Sequence, residues 1–326
     1  MPRFSSRTER PAHLRQVAHL AAPKQRDGEA THVAPNVGAS VCPSRGSGML
    51  CFVHIEKTAG TTLHRIFINN YPEYVHLKPW SLWSNQEEND FSREEFRYFC
   101  RLLPWTRAIG GHSLRAYLGY ETVSPTPVQY VTFLREPISR YLSHFRYQRD
   151  VMGLGWTLES FAAEPRFNDY MTRRLSAAGN LDQAKHVLRH QFAFVGLMEE
   201  FDRSLVLLKT LLGLERLDTR YEASNVNRRS RPLSGGDCPE SLRAKLRENN
   251  VLDLELYRFT REEVFPAYPR AAGTDLEERL HRHLAALEGF RFPYLPGLVS
   301  KLYVRAVHRP LEKILRPICH GRRRAA

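Results

Sequence analysis

The chain is poor in cysteine, with five in 326 residues: Cys42, Cys51, Cys100, Cys238 and Cys319. The number is odd and no two stand in a Cys-x-x-Cys pair, which argues against a disulfide framework and against a zinc ribbon. Cys51 lies inside an apolar run and reads as a small buried hydrophobe. Residues 1–48 hold no apolar core long enough for a signal peptide or a membrane span. No internal repeat is present. Acidic residues are also short, 35 against 48 Lys and Arg, for a net charge of +13. That excess invites a nucleic-acid or membrane-surface partner, but its placement speaks against one for the folded body. Residues 1–48 carry seven Lys/Arg against three Asp/Glu, residues 300–326 carry eight against one, and the stretch between holds a net charge of only +2.

Hydrophobic content of 42% and aromatic content of 11% suit a globular body, and a chain of this length buries one large core or two small ones. Residues 1–48 mix Pro, Gly, Ser, Ala and Arg without a sustained period and read as disordered. Residues 49–299 form the expected domain. Residues 300–326 read as a basic amphipathic tail, with Leu302, Val304, Leu311, Ile314, Leu315 and Ile318 among Arg and Lys and an interruption at Pro310. Such a helix lies on an anionic membrane or packs on its own domain. The Arg322–Arg324 run reads as a solvated end.

The informative stretch runs from Met49 to Asn70. Leu50–Ile55 is a short apolar run rich in Val, Ile and Phe, as a buried strand would be. Glu56–Thr62 is a small-residue turn with one lysine and one glycine. Leu63, Ile66 and Phe67 then recur at helical spacing. A strand, a loop and a helix N-terminus make an anion site, because the first backbone N–H groups of the helix have no partner. Gly60 is expected to let the backbone come close to a bulky anion. Thr58, Ala59, Thr61 and Thr62 complete the loop, the two last threonines adding hydroxyls, and Lys57 adds a mobile cation. The loop is not a Walker A motif, which needs a second glycine directly before its lysine.

Two further places carry chemistry. Arg107–Gly111 reads as a strand running into Gly-His-Ser, so His112 stands at a strand's carboxyl end, either as a proton acceptor or as a structural histidine. Val128–Leu134 reads as a buried strand that ends at Arg135-Glu136-Pro137, and a helix follows with Pro137 in its first turn. Ser143 lies about two turns up that helix. An arginine fork matches phosphate oxygens.

The remaining segments organise the domain. Residues 71–90 show no strong period; Trp80 and Trp83 in them either stack on a sugar face or belong to the core. Helices are expected at 92–103, 156–178, 182–190, 199–212, 239–266 and 275–289, and a strand at Phe192–Leu197. His186 and His190 have metal-ligand spacing, yet no carboxylate motif joins them and they read as a solvated helix face. Residues 225–231 form a basic polar loop. Alternating strands and helices give an α/β class with a parallel sheet.

The loop Glu56-Lys-Thr-Ala-Gly-Thr-Thr resembles the 5′-phosphosulfate loop of sulfotransferases, in the branch of the heparan-sulfate 2-O-sulfotransferases and their bacterial relatives. Glu56 stands where that family usually has proline. Gly-His at 111–112 and Arg-Glu-Pro-x-x-Arg-Tyr-x-Ser at 135–143 resemble the family's next two motifs, in the same order. The resemblance covers roughly residues 49–266 and is strongest at 51–63, 110–113 and 131–145. It implies a P-loop-like sulfotransferase fold with a central parallel sheet flanked by helices. It also implies 3′-phosphoadenosine 5′-phosphosulfate (PAPS) as co-substrate, no metal, and sulfuryl transfer to a hydroxyl of a carbohydrate or glycolipid. By the same resemblance His112 is the base, and Lys57 stabilises charge and binds the donor with residues 58–62. Arg135 and Ser143 hold the 3′-phosphate, Asn227 and Arg229 lie near the nucleotide, and Trp80 and Trp83 help line the acceptor site. Eukaryotic Golgi members begin with a membrane anchor. None is read here, which implies a soluble, bacterial-type cytoplasmic enzyme whose tail can touch the inner face of the membrane, with no nucleic-acid partner. A nucleotide-dependent kinase and a basic nucleic-acid or membrane-surface binding protein stand as the alternatives.

Overall fold

The computed structural model describes residues 48–78, 90–222 and 239–315. The expectations for residues 1–47, Trp80, Trp83, Asn227, Arg229 and the Arg322–Arg324 run fall outside them.

Five parallel strands form one sheet: β1 (Met49–Val53), β2 (Val75–His76), β3 (Ala108–Gly111), β4 (Val128–Leu134) and β5 (Phe192–Leu197), in the order β2-β3-β1-β4-β5. The class is α/β, as the alternation of periods implies. β1 is central and every one of its residues is buried. A strand covered on both faces needs a continuous apolar run rather than an alternating one, and Met-Leu-Cys-Phe-Val supplies it. β1 pairs with β3 on one side and with β4 on the other, so the strand order reverses there. In open α/β sheets a crevice forms at such a reversal, outside the strands' carboxyl ends. Thr132 Oγ1 donates to the Val53 carbonyl at 2.8 Å and ties β4 to β1 just below that crevice.

Twelve helices of the described residues surround the sheet: α1 (Gly60–Asn70), α2 (Arg93–Leu102), α3 (Pro137–Arg146), α4 (Leu158–Ala162), α5 (Tyr170–Leu175), α6 (Leu181–His190), α7 (Phe201–Leu211), α8 (Glu240–Glu248), α9 (Val251–Phe259), α10 (Ala267–Ala272), α11 (Leu276–Leu287) and α12 (Tyr294–Tyr303). Local chemistry sets their ends. Ser92 and Glu95 close a capping box on α2. The Glu136 carboxylate accepts from the N–H groups of Ile138 and Ser139 and caps α3, with Pro137 in its first turn.

Three segments differ from expectation. The helix expected over 156–178 is broken into α4, a short 3₁₀ turn at Pro165–Phe167, and α5. Asp169 adopts φ 44° between the last two. Its Oδ1 accepts from the N–H groups of Leu252 and Asp253 at the start of α9, while buried Asp253 accepts from Met171 and Thr172 at the start of α5. Each helix thus has its orphan N–H groups satisfied by a carboxylate beside the other, a tertiary trade that local periodicity does not show. The closing helix expected over 239–266 is divided at Asn249 and Asn250, with fully buried Asn250 bonding the Leu246 carbonyl at 2.8 Å. Pro310 does not end the C-terminal helix. A wider π-type turn at Val304–His308 precedes it and residues 309–315 continue helical, a relief for the carbonyl clash that proline creates one turn back. β2, at Val75–His76, is too short for periodicity to reveal. α12 packs on α1 and spans the expected start of the tail at residue 300.

Candidate active site

The residues that directly follow the three central strands are His54 after β1, His112 after β3 and Arg135 after β4. Sheet geometry alone brings them to one edge.

The loop from Glu56 to Ala59 carries two non-glycine residues in the left-handed region, Lys57 at φ 70° and Ala59 at φ 66°. Each costs on the order of 1–2 kcal/mol. Left-handed residues in a tight turn are the backbone geometry of anion-binding nests. Ala59 caps α1 without a side-chain bond. The N–H groups of Thr62 and Leu63 turn back to the Ala59 carbonyl at 3.0 and 3.2 Å, while those of Gly60 and Thr61 find no acceptor among the described residues. Thr61 is exposed at the mouth and Thr62 is buried in the first turn. The Thr58 Oγ1 donates to the Ile55 carbonyl at 2.8 Å and is buried, so this hydroxyl is spent within the loop. Gly60 has a reason to be glycine that the loop motif does not give. A Cβ there would lie 1.7 Å from Nε2 of His54, whose ring fills the space.

Lys57 places its ammonium 4.2 Å from the centre of the Tyr147 ring, at the end of α3. Burial lowers its pKa, the nearby Arg135 charge adds to that, and Glu56 opposes it. Arg135 is half-buried and donates from Nη1 to the Lys57 carbonyl at 3.3 Å. Ser143 is half-buried on α3. Arg140, the other arginine of that motif, is fully buried with its guanidinium 4.8 Å from the Tyr170 ring centre. The N-terminus of α3 is already satisfied by Glu136, so an anion beside this helix depends on side chains such as Arg135 and Ser143.

His112 is partly buried. Its Nδ1 lies 3.2 Å from the His54 carbonyl and 3.5 Å from Glu56 Oε1. A proton on Nδ1 serves both acceptors and leaves Nε2 with its lone pair. Burial lowers the His112 pKa below the ordinary imidazole value; Glu56 and the His54 carbonyl push it back up in part. Burial alone would raise the Glu56 pKa, but Arg174 and His112 outweigh it and hold the carboxylate ionised. Arg174 donates to Glu56 at 3.2 Å and to the Tyr170 hydroxyl at 2.6 Å.

The family model described as "Sulfotransferase family" matches residues 46–260. The chain belongs to the sulfotransferase family. Galactosylceramide sulfotransferase of Homo sapiens is 28% identical over 305 residues, 83% of this chain and 68% of that protein. Galactose-3-O-sulfotransferase 3 of Mus musculus is 28% identical over 251 residues, 66% of this chain and 56% of that protein. A solved sulfotransferase of Alicyclobacillus acidocaldarius is 18% identical, with a TM-score of 0.38, and covers 64% of this chain and 95% of its own.

Beside the Glu56–Thr62 loop, this sulfotransferase holds a histidine cluster that motif reading passed over. Tyr74, His64 and His54 form a hydrogen-bonded row, with Tyr74 Oη 2.6 Å from His64 Nδ1 and His64 Nε2 2.9 Å from His54 Nδ1. The His54 and His112 rings lie 4.0 Å apart, and His76 stacks on His64 at 4.5 Å. Burial drives His64 down to about 2 and His76 to about 4, with neighbouring imidazoles adding to both. The available signal was position: His54 directly follows β1 and His64 lies one turn into α1. Ring nitrogens of His54, His76 and His112 come within 4.8 Å of one another and could reach a metal ion. Tetrahedral zinc needs edges of roughly 3.4 Å, and His54 is already bonded to His64.

This cluster floors a cavity of about 900 Å³, roofed by residues 292–309. His186 and His190 lie on α6, their rings 4.6 Å apart. They stand apart from the cluster.

Proposed function

We propose that the sulfotransferase moves the sulfuryl group of PAPS to a carbohydrate or glycolipid hydroxyl, with His112 as base. The observation that carries this is the Nδ1-anchored His112, neutral near pH 7 and standing between the strained loop and the cavity. PAPS supplies an activated sulfur joined to a phosphate leaving group. The loop amides at Gly60 and Thr61, with Lys57, suit its 5′-phosphosulfate, and Arg135 and Ser143 suit its 3′-phosphate. His112 Nε2 takes the proton of the acceptor hydroxyl. The acceptor oxygen forms a bond to sulfur, the bond from sulfur to the bridging oxygen breaks, and adenosine 3′,5′-bisphosphate leaves. Lys57 faces the charge that develops on the bridging oxygen. No step calls on a metal. The sugar acceptor rests on the galactosyl substrates in the names of the relatives.

The site of action we infer is cytoplasmic, at the inner face of a membrane. Leu295, Val299, Leu302 and Ile314 are exposed along the C-terminal helix, a stripe suited to shallow insertion. Among the described residues no helix is long and apolar enough to cross a membrane. Sedimentation of the full chain with anionic vesicles, lost in Leu295→Asp/Leu302→Asp, tests this.

The activity test is transfer of radiolabelled sulfate from PAPS to galactosylceramide and to free galactosides. Transfer that needs PAPS and disappears in His112→Ala supports the proposal. Transfer that survives in His112→Ala refutes the base. Phosphoryl transfer from ATP instead favours a kinase.

A further inference from the structure

The cavity's charge names an acceptor class, and this step rests on the sulfotransferase reading of the site. Arg65 of α1 and Lys301, Arg305 and Arg309 of the C-terminal helix line the cavity, and no Asp or Glu does so among the described residues. Lys301, Arg305 and Arg309 make no ion pair among the described residues. Arg65 lies over the Phe292 ring at 4.7 Å. Lys301, Arg305 and Arg309 on one wall of a concave space that no described carboxylate lines set up a positive potential.

These cations lie apart from the side chains proposed for the donor: Lys57, Arg135 and Ser143 do not line the cavity. Arg135 follows β4, on one side of β1, and Lys57 and Ser143 belong to that side through Tyr147 and α3. The cavity lies on the other side of β1, where β3 and β2 bring His112 and His76. His112 stands between the two cationic sets. The cavity wall is also apolar, through Phe292, Leu298 and Val304. On the helix, residues 298, 301, 305 and 309 recur at helical spacing and form the cavity-facing stripe, while Leu295, Val299 and Leu302 form the exposed one.

We propose that the cavity takes an acidic saccharide carried on an apolar aglycone, its acid group meeting Lys301, Arg305 and Arg309 and its hydroxyl meeting His112. A carboxylate or phosphate on the sugar pairs with these cations, and the aglycone lies along the apolar wall.

The test is calorimetric titration of the full chain with octyl β-D-glucuronide and octyl β-D-glucoside, below their micelle-forming concentrations. The two differ only in the carboxylate. The glucuronide is expected to bind about tenfold more tightly at low salt. The difference should shrink in about 0.5 M NaCl and vanish in Lys301→Glu/Arg305→Glu, two exposed positions whose change leaves the core untouched. Equal affinity, preference for the glucoside, no binding of either, or a preference that persists in the double variant would overturn the proposal. Adenosine 3′,5′-bisphosphate is titrated in parallel. Its failure to bind, with the glucuronide preference intact, would strike the donor assignment and leave the acceptor class standing.

Discussion

Glu56 Oε1 stands 3.5 Å from His112 Nδ1 and 3.2 Å from Arg174 Nη2. The residue that replaces the family's usual proline is thus the carboxylate that faces the proposed base, fixed in turn by an arginine. A carboxylate on Nδ1 favours the tautomer with Nε2 free and supports the cation formed after proton uptake. Glu56→Gln should lower kcat about tenfold near pH 7 through lost orientation. Glu56 raises the His112 pKa, so its loss lowers that pKa and moves the acidic limb of the rate profile to lower pH. An unchanged kcat and profile would remove Glu56 from the mechanism.

Replacing the base itself should separate binding from chemistry. His112→Ala is expected to cut kcat by about 10²–10⁴ while leaving the affinity for adenosine 3′,5′-bisphosphate within about twofold. A matching loss of nucleotide affinity would show that His112 builds the donor site instead.

Gly60 makes a different kind of prediction. Gly60→Ala places a methyl 1.7 Å from the present position of His54 Nε2, so the ring must move and its bond to His64 must break. The cost is about 1–3 kcal/mol, readable by denaturant unfolding. Adding His54→Ala should recover part of it, since the two changes share one space. A fully additive double variant would show that the strain lies elsewhere.

Buried histidines tie stability to acid. His54 of the cluster is held well below the ordinary value, and His144 of α3, which packs on Phe161 and Phe167 away from that cluster, is held at about 3. Both stay neutral in the fold while the unfolded chain takes up protons below about pH 6.5. Their contribution is full above that pH and is lost as pH falls from there toward the folded values. Each gives a slope of up to about 1.4 kcal/mol per pH unit in that window. Thermal unfolding from pH 7.5 to 4 should show a falling midpoint, less steep in His144→Phe. A midpoint independent of pH would contradict the buried neutral state.

How far the sequence discloses this arrangement follows from the range of each interaction. β4 and β5 are bounded by their apolar runs, and β1 follows from its lack of alternation, because burial on both faces of a parallel sheet leaves that imprint. His112 and Arg135 are legible since each follows a strand, and strand ends converge. The partnership of Glu56 with Arg174 is not, because 118 residues separate them and no local pattern encodes it. The reciprocal clamp of Asp169 and Asp253 hides the break between α4 and α5 for the same reason. Gly60 shows a different limit: the loop reading expects its glycine to face an anion, and what the fold shows is that its missing Cβ makes room for the His54 imidazole.

The most direct test is calorimetric titration of adenosine 3′,5′-bisphosphate against ATP and ADP, on the wild type and on Arg135→Ala. Micromolar binding of the bisphosphate, weakened at least tenfold by removing the Arg135 guanidinium and unmatched by ATP, is the predicted result. ATP binding as tight or tighter, or bisphosphate binding indifferent to Arg135, would contradict the account.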